Sequence, residues 1–308
     1  VQPAGSPAFG VRNGSRIGDR TCALRSAAEM PDAIPIRRPK LSLTRPPDGS
    51  GAPGLPRDWH GGDPFATHFL DALSSTFPFG EAFFVRSVLH YRDRIDDPAL
   101  LEQIRGFAGQ EGQHSRLHDE HLELLLAQGY AFLARRNRFL DRVMRFHNRR
   151  TPKLSLAITA ALEHLTALLA RQVLEDDARR LAPMHPDMAP LWRWHALEES
   201  EHKSVAFDVL KRVAPSHGLR IAAMALDSFF LTFETLMRTS YMLWKDGLLF
   251  DRAIWAQGWR FLWGEAGLLR GTASAYLAWY RRDFHPDEID DSALIAHHAP
   301  RVAREISG

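Results

Sequence analysis

The chain has 308 residues, one cysteine (Cys22), 39 Lys+Arg against 37 Asp+Glu, and a formal net charge of +2. One thiol excludes a disulfide framework, an iron–sulfur cluster and a cysteine-based zinc site. Near-neutral charge excludes a strongly basic nucleic-acid binder, and the length buries a core without staples.

Residues 1–29 are rich in Gly, Ser, Pro and Arg, lack periodicity and contain no secretory apolar stretch, so they read as disordered. The first methionine is Met30, a candidate true start. Residues 31–63 stay rich in Pro and Gly and predict extended chain, so 1–63 is expected as a tail. From residue 64 the pattern is helical. One helix is expected from Pro78 to about Ile95. Asp97 and Pro98 supply a cap and a first turn for a helix ending near Gln128, with Gly129 as its stop. Residues 130–150 carry many arginines and predict a solvated amphipathic helix. Thr151-Pro152 opens a helix to about Leu181, and another runs from Asp187 to about Val213. Leu219 to about Lys245 is long and aromatic-rich, two shorter helices fit between Asp251 and Arg282, and 291–308 is expected as a second tail. Period-2 stretches of Val, Ile and Thr are missing, so the fold class is all-α.

The 219–245 helix is long enough to cross a membrane, but Asp227, Glu234, Arg238 and Lys245 interrupt it at a cost lipid does not tolerate. A buried helix, or one lining an apolar channel, fits better, and peripheral membrane contact stays open.

Six residues repeat one unit: Glu81, then Glu111 with His114; Glu163, then Glu199 with His202. Residues three apart on a helix share a face, so each Glu-x-x-His offers a carboxylate beside an imidazole. A Glu from a neighbouring helix adds oxygen donors. Two such units facing each other place four carboxylates and two imidazoles around two metal ions, the arrangement of ferritin-like di-metal bundles. Chance alone supplies roughly one Glu-x-x-His in a chain this size, and a lone helical glutamate is ordinarily a solvated one. The weight rests on the doubling and on the neighbours. Glu81 lies on a stripe with Phe77, Phe84, Val85 and Val88, where an unpaired carboxylate is costly. Glu163 lies among Thr159, Ala160, Thr166 and Ala167. In the last unit both Glu198 and Glu199 reach the face of His202, and symmetry with Glu111/His114 selects Glu199. Glu198 and Glu201 are then surface residues or partners of ligands. His118 and His195, one turn from the ligands, are candidates to hold a ligand carboxylate or a water, while His121, His164 and His285 are expected to be structural.

The segments FLDALSSTFPFGEAFFVRSVLHYRDRI, FAGQEGQHSRLH, ALEHLTALLA, WRWHALEESEHKSVAFDV and RRDFHPDE resemble the bacterial family described as predicted metal-dependent hydrolases. That family is similar to a branch of the ferritin-like di-metal carboxylate superfamily. The likeness spans roughly residues 64–290. It implies a ferritin-like four-helix bundle with metal ligands at Glu81, Glu111, His114, Glu163, Glu199 and His202. The helices at about 219–282 would form a C-terminal cap, and 130–150 a crossover.

Oxygen-rich ligands suit two divalent ions, iron first, with manganese or a mixed Fe/Mn pair as alternatives. Three functions are expected in order: oxygen-dependent oxidation or hydroxylation of a small or apolar substrate, hydrolysis by metal-activated water, and iron storage. No G-x-S-x-G motif is present, so hydrolysis relies on metal. Phe229, Phe230, Phe233, Trp244, Trp255, Trp259, Phe261, Trp263, Tyr276, Trp279 and Tyr280 are expected to line a pocket for an apolar substrate or simply to pack a core. Further expectations are a cytoplasmic protein with a small-molecule substrate, an electron-donor protein docking on the arginines of 130–150, no nucleic acid, and a possible homodimer.

Overall fold

The computed structural model describes residues 33–43 and 55–307. It is all-α: among these residues there is no strand, only an isolated antiparallel bridge between His60 and Met184. The helices are α1 (Pro64–Ser74), α2 (Phe77–Leu89), α3 (Pro98–Ala127), α4 (Phe132–Arg150), α5 (Pro152–Glu175), α6 (Asp177–Arg180), α7 (Met188–His202), α8 (Val205–Val213), α9 (His217–Lys245), α10 (Arg252–Trp263), α11 (Ala273–Ala278) and α12 (Ser292–Glu305).

Local chemistry sets the ends of the site-bearing helices. Asp97 Oδ1 accepts from the amides of Ala99 and Leu100 at 3.0 and 3.4 Å, starting α3 at Pro98. At the other end Gly129 adopts φ +103°. That turn lets Tyr130 N–H reach the Leu125 carbonyl and Gly129 N–H the Leu126 carbonyl, both at 3.1 Å, a Schellman closure.

Helices α2, α3, α5 and α7 pack on one another, α2 against α3 and α5, and α7 against α3 and α5. One apolar cluster includes Phe83, Val88, Phe107, Leu156 and Val209; another includes Phe69, Leu117, Trp194 and Leu197. Among the described residues α5 is the one helix long and apolar enough to cross a membrane by length and composition, but most of its apolar window is buried inside the protein. In α9 the four interrupting charges separate: Asp227, Glu234 and Arg238 turn inward, and Lys245 stays exposed at the end.

Four expectations need correction. Phe229, Phe230, Phe233, Trp244, Trp255, Trp259 and Trp263, expected to line a pocket or pack a core, are exposed, while Trp279 is buried. Residues 187–213 are two helices, parted at Lys203 and Ser204, whose backbones stay in the helical region, so the chain direction is nearly kept; buried Lys203 Nζ donates there to Asp291 and to the Ile289 carbonyl. Residues 291–308 are not a tail: α12 packs on α7, burying His298 and Val302. The extended chain at 33–43 is not loose either. A Cβ on Gly106 of α3 would stand 2.6 Å from Ile34 Cβ and 2.8 Å from its carbonyl oxygen, so the glycine makes room for this segment to lie on α3. Lys40 N–H donates to the Ile306 carbonyl at 2.9 Å, tying it to the end of α12. The expected tail at 1–32 and 44–54 lies outside the described residues.

Candidate metal centre

The six residues of the repeated unit arrive from four helices: Glu81 on α2, Glu111 and His114 on α3, Glu163 on α5, Glu199 and His202 on α7. All six are buried in the fold interior. Donor atoms of these six and of a seventh residue, His195, form overlapping triads whose members lie within 4.8 Å of one another: Glu111–Glu163–His202, Glu111–His114–Glu199 and Glu81–His114–His195. Sharing of Glu111 and His114 makes them one continuous cluster.

The two imidazoles are oriented from behind. His202 Nδ1–H donates to Gln110 Oε1 at 2.8 Å, since the Gln110 amide nitrogen already donates to Glu201 and to the Pro35 carbonyl. That leaves His202 Nε2 facing Glu111 at 3.1 Å, Glu163 at 3.3 Å and Glu199 at 3.5 Å. His114 Nε2–H donates to Glu198 at 3.1 Å, leaving Nδ1 3.7 Å from Glu199. Fixing the tautomer through the far nitrogen is how proteins prepare histidine ligands.

Whether these residues fit metal is decided by what remains unpaired. Among the described residues, Glu81 Oε1, both oxygens of Glu111, both oxygens of Glu163, Glu199 Oε2, His114 Nδ1 and His202 Nε2 are buried without a hydrogen-bond partner. His202 Nε2 approaches three carboxylates closely, yet lacks the alignment of a hydrogen bond. Buried polar atoms are almost always paired. Eight orphaned acceptors converging from six side chains are what a divalent cation would satisfy.

The electrostatics are those of a metal-free cluster crowded with carboxylates: burial opposes charge on His202, but Glu163, Glu111 and Glu199 outweigh it and hold the ring well above the usual imidazole range, so a cation must displace that proton. Burial, reinforced by the Glu111 charge, drives Glu81 well above the usual carboxylate range. Burial likewise pushes Glu163 up to about 8, against the pull of His202. Burial also opposes ionisation of Glu199, but the close His195 and His202 imidazoles outweigh it and hold that carboxyl low. Burial and the neighbouring His195 ring, stacked at 4.2 Å and 9°, push His114 down to about 3 and keep it neutral, as a ligand must be. Trp194 and Phe107 present ring edges to His114 and His202, and such apolar walls exclude water.

A family model described as predicted metal-dependent hydrolase matches residues 45–290. The chain belongs to that family. No curated protein and no solved structure matches it.

Other expected residues fall into two groups. Glu198 is fully buried, and Glu201 half-buried; neither is a surface residue. Arg37, from the extended segment, grips Glu201 with two 2.7 Å contacts and reaches Glu198 at 3.1 Å. Burial pushes Glu198 up to about 7, and Arg37 limits the rise. His195 Nε2 lies 3.2 Å from Glu199 Oε1, and His195 forms a donor triad with Glu81 and His114. His118 touches no carboxylate among the described residues; its Nε2 meets His195 Nδ1 at 2.6 Å and its Nδ1 meets Ser74 Oγ at 2.8 Å.

Sequence reasoning missed where that contact leads. Ser74 Oγ also meets His121 Nδ1 at 2.7 Å, and His121 Nε2 lies 3.1 Å from Asp71. Asp71 accepts from Trp59 Nε1 at 2.8 Å and lies 3.4 Å from His68, which meets Asp246 at 2.9 Å. A buried polar chain thus runs from Glu199 to Asp246. The available signal was the doubled i, i+3 pattern of His68/Asp71 on α1 and His118/His121 on α3. His164, expected to be structural, meets the Ala275 carbonyl at 3.3 Å, and His285 caps a short turn.

Proposed function

We propose that this chain is a binuclear metal-dependent hydrolase whose two divalent ions are held by Glu81, Glu111, His114, Glu163, Glu199 and His202. The observation that carries this reading is the convergence of eight buried, unpartnered donor atoms from those six side chains. Membership in a family described as predicted metal-dependent hydrolases supports the reaction class. Bound there, the ions would supply Lewis acidity and lower the pKa of a coordinated water. The chain's own residues do the rest. Gln110 and Glu198 hold the imidazole tautomers, Arg37 neutralises the outer carboxylates, and Trp194 and Phe107 keep the surroundings dry.

One observation favours a second reading. The donor set of four carboxylates and two imidazoles, one Glu or one Glu-x-x-His per helix, is that of ferritin-like di-iron bundles, which suits oxygen-dependent oxidation. The two separate cleanly. Protein loaded with Mn(II) or Zn(II) is assayed without oxygen on a panel of p-nitrophenyl esters and phosphates, with Glu111→Ala in parallel. Metal-dependent turnover abolished in the variant supports hydrolysis. Turnover that appears only with iron and oxygen transfers the assignment to oxidation, and uptake of many irons per chain transfers it to storage.

A further inference from the structure

Helix α9 presents an exposed face on which Leu226, Phe229, Phe230, Phe233 and Leu236 stand in solvent. The charged residues of that stretch, Asp227, Glu234 and Arg238, are all turned inward. From residue 222 to 236 the exposed positions are therefore apolar apart from Thr232, over about 21 Å of helix. Such a patch on a soluble chain marks a place where something docks.

Its neighbour α4 supplies the opposite chemistry. Phe132 N–H donates to Tyr241, Arg136 pairs with Glu234, and Arg238 donates to Asn137. Numbers rise on one helix as they fall on the other, so the two run antiparallel. On the next turns of α4, Phe139, Val143 and Phe146 are exposed in a line at helical spacing. Around them lie Arg135, Arg138, Arg142, Arg149 and Arg150, none with a carboxylate within 4.0 Å among the described residues. The two acids at hand are taken, Asp141 by Arg86 and Arg145, and Glu234 by Arg136 and Arg238.

We propose that the α4–α9 face docks on an anionic lipid surface, with the phenylalanines entering the headgroup–acyl boundary and the arginines meeting lipid phosphates. Aromatic and aliphatic side chains flanked by unpaired arginines, on two hydrogen-bonded surface helices, are the composition of an interfacial anchor. A second copy of this chain does not complete the patch, because the patch has no free acid to offer those arginines. Nucleic acid would meet the arginines but leave the α9 phenylalanines in water. The occupant must bring both anionic groups and apolar depth, and an anionic bilayer brings both. This inference is independent of the metal reading.

The test is flotation of the full chain with phosphatidylcholine vesicles and with vesicles containing phosphatidylglycerol. Binding is expected to the anionic vesicles alone and to fall steeply with added salt. Arg142→Glu/Arg149→Glu should weaken it by at least roughly fivefold per arginine. Phe229→Ser/Phe233→Ser should weaken it at low salt as well, while helical circular dichroism and bound metal stay at wild-type levels. Equal binding to neutral vesicles, or no effect of either pair, overturns the proposal. So does a stable dimer dissociated by the phenylalanine variants, or capture of nucleic acid or acidic protein without vesicle binding.

Discussion

His68 is buried between two carboxylates, 2.9 Å from Asp246 and 3.4 Å from Asp71. Burial opposes its charge, but hydrogen bonds and attraction from both partners outweigh burial and push it up to about 9 from 6.5. A raised histidine contributes stability that is fully present below its unfolded pKa and is lost as pH rises through its folded one. From those two values the contribution is about 3 kcal/mol at pH 6, about 1.4 kcal/mol at pH 8 and less than about 0.5 kcal/mol at pH 9. His68→Asn removes the titration. Urea unfolding of wild type and variant in chelator, at pH 6, 8 and 9, should show the stability gap narrowing by about 2.5 kcal/mol across that range. A gap that is flat, or that widens with pH, refutes a charged His68 holding α1 to the end of α9.

Four further outcomes follow from the same geometry. Arg37→Ala leaves Glu198 and Glu201 without their cation and should cost about 2–4 kcal/mol near pH 8, read by denaturant unfolding. Gly106→Ala forces Ile34 and its carbonyl aside, so it should destabilise by about 1–3 kcal/mol and speed proteolysis within residues 33–43. Because Glu163 is held up to about 8, the metal-free centre carries a proton there at neutral pH. Divalent-ion affinity should therefore rise from pH 6 to pH 8, with proton release seen by calorimetry in buffers of different ionisation enthalpy. Ser74→Ala unpairs His118 and His121 and should cost about 1–3 kcal/mol, with metal content unchanged.

Much of the fold could be read where local chemistry decides. Asp97-Pro98 and Gly129 bound α3 because a cap, a fixed φ and a positive φ act over a few residues. Asp63-Pro64 carries the same signal for α1, and the Leu294, Ile295, His298, Val302 spacing carries one for α12. Both were there to be read. The break between α7 and α8 was not, since Lys203 and Ser204 are neither Gly nor Pro and keep helical dihedrals. The six residues of the repeated unit were picked out by spacing and by the apolar neighbours of Glu81. Their supports were hidden for a physical reason. Arg37 sits in aperiodic chain, and its partners Glu198 and Glu201 come from 161 and 164 residues further on. A helical period shows that Glu198 and Glu199 share a face with His202, but only packing against α3 separates the one meeting His114 Nε2 from the one meeting His202.

Metal stoichiometry of purified protein beside Glu111→Ala and His202→Ala, by elemental analysis after dialysis against free ion, tests the central claim most directly. About two ions per chain in the wild type, and fewer in each folded variant, is the result predicted. Wild-type protein that retains no metal, or variants that hold as much as the wild type, would contradict it.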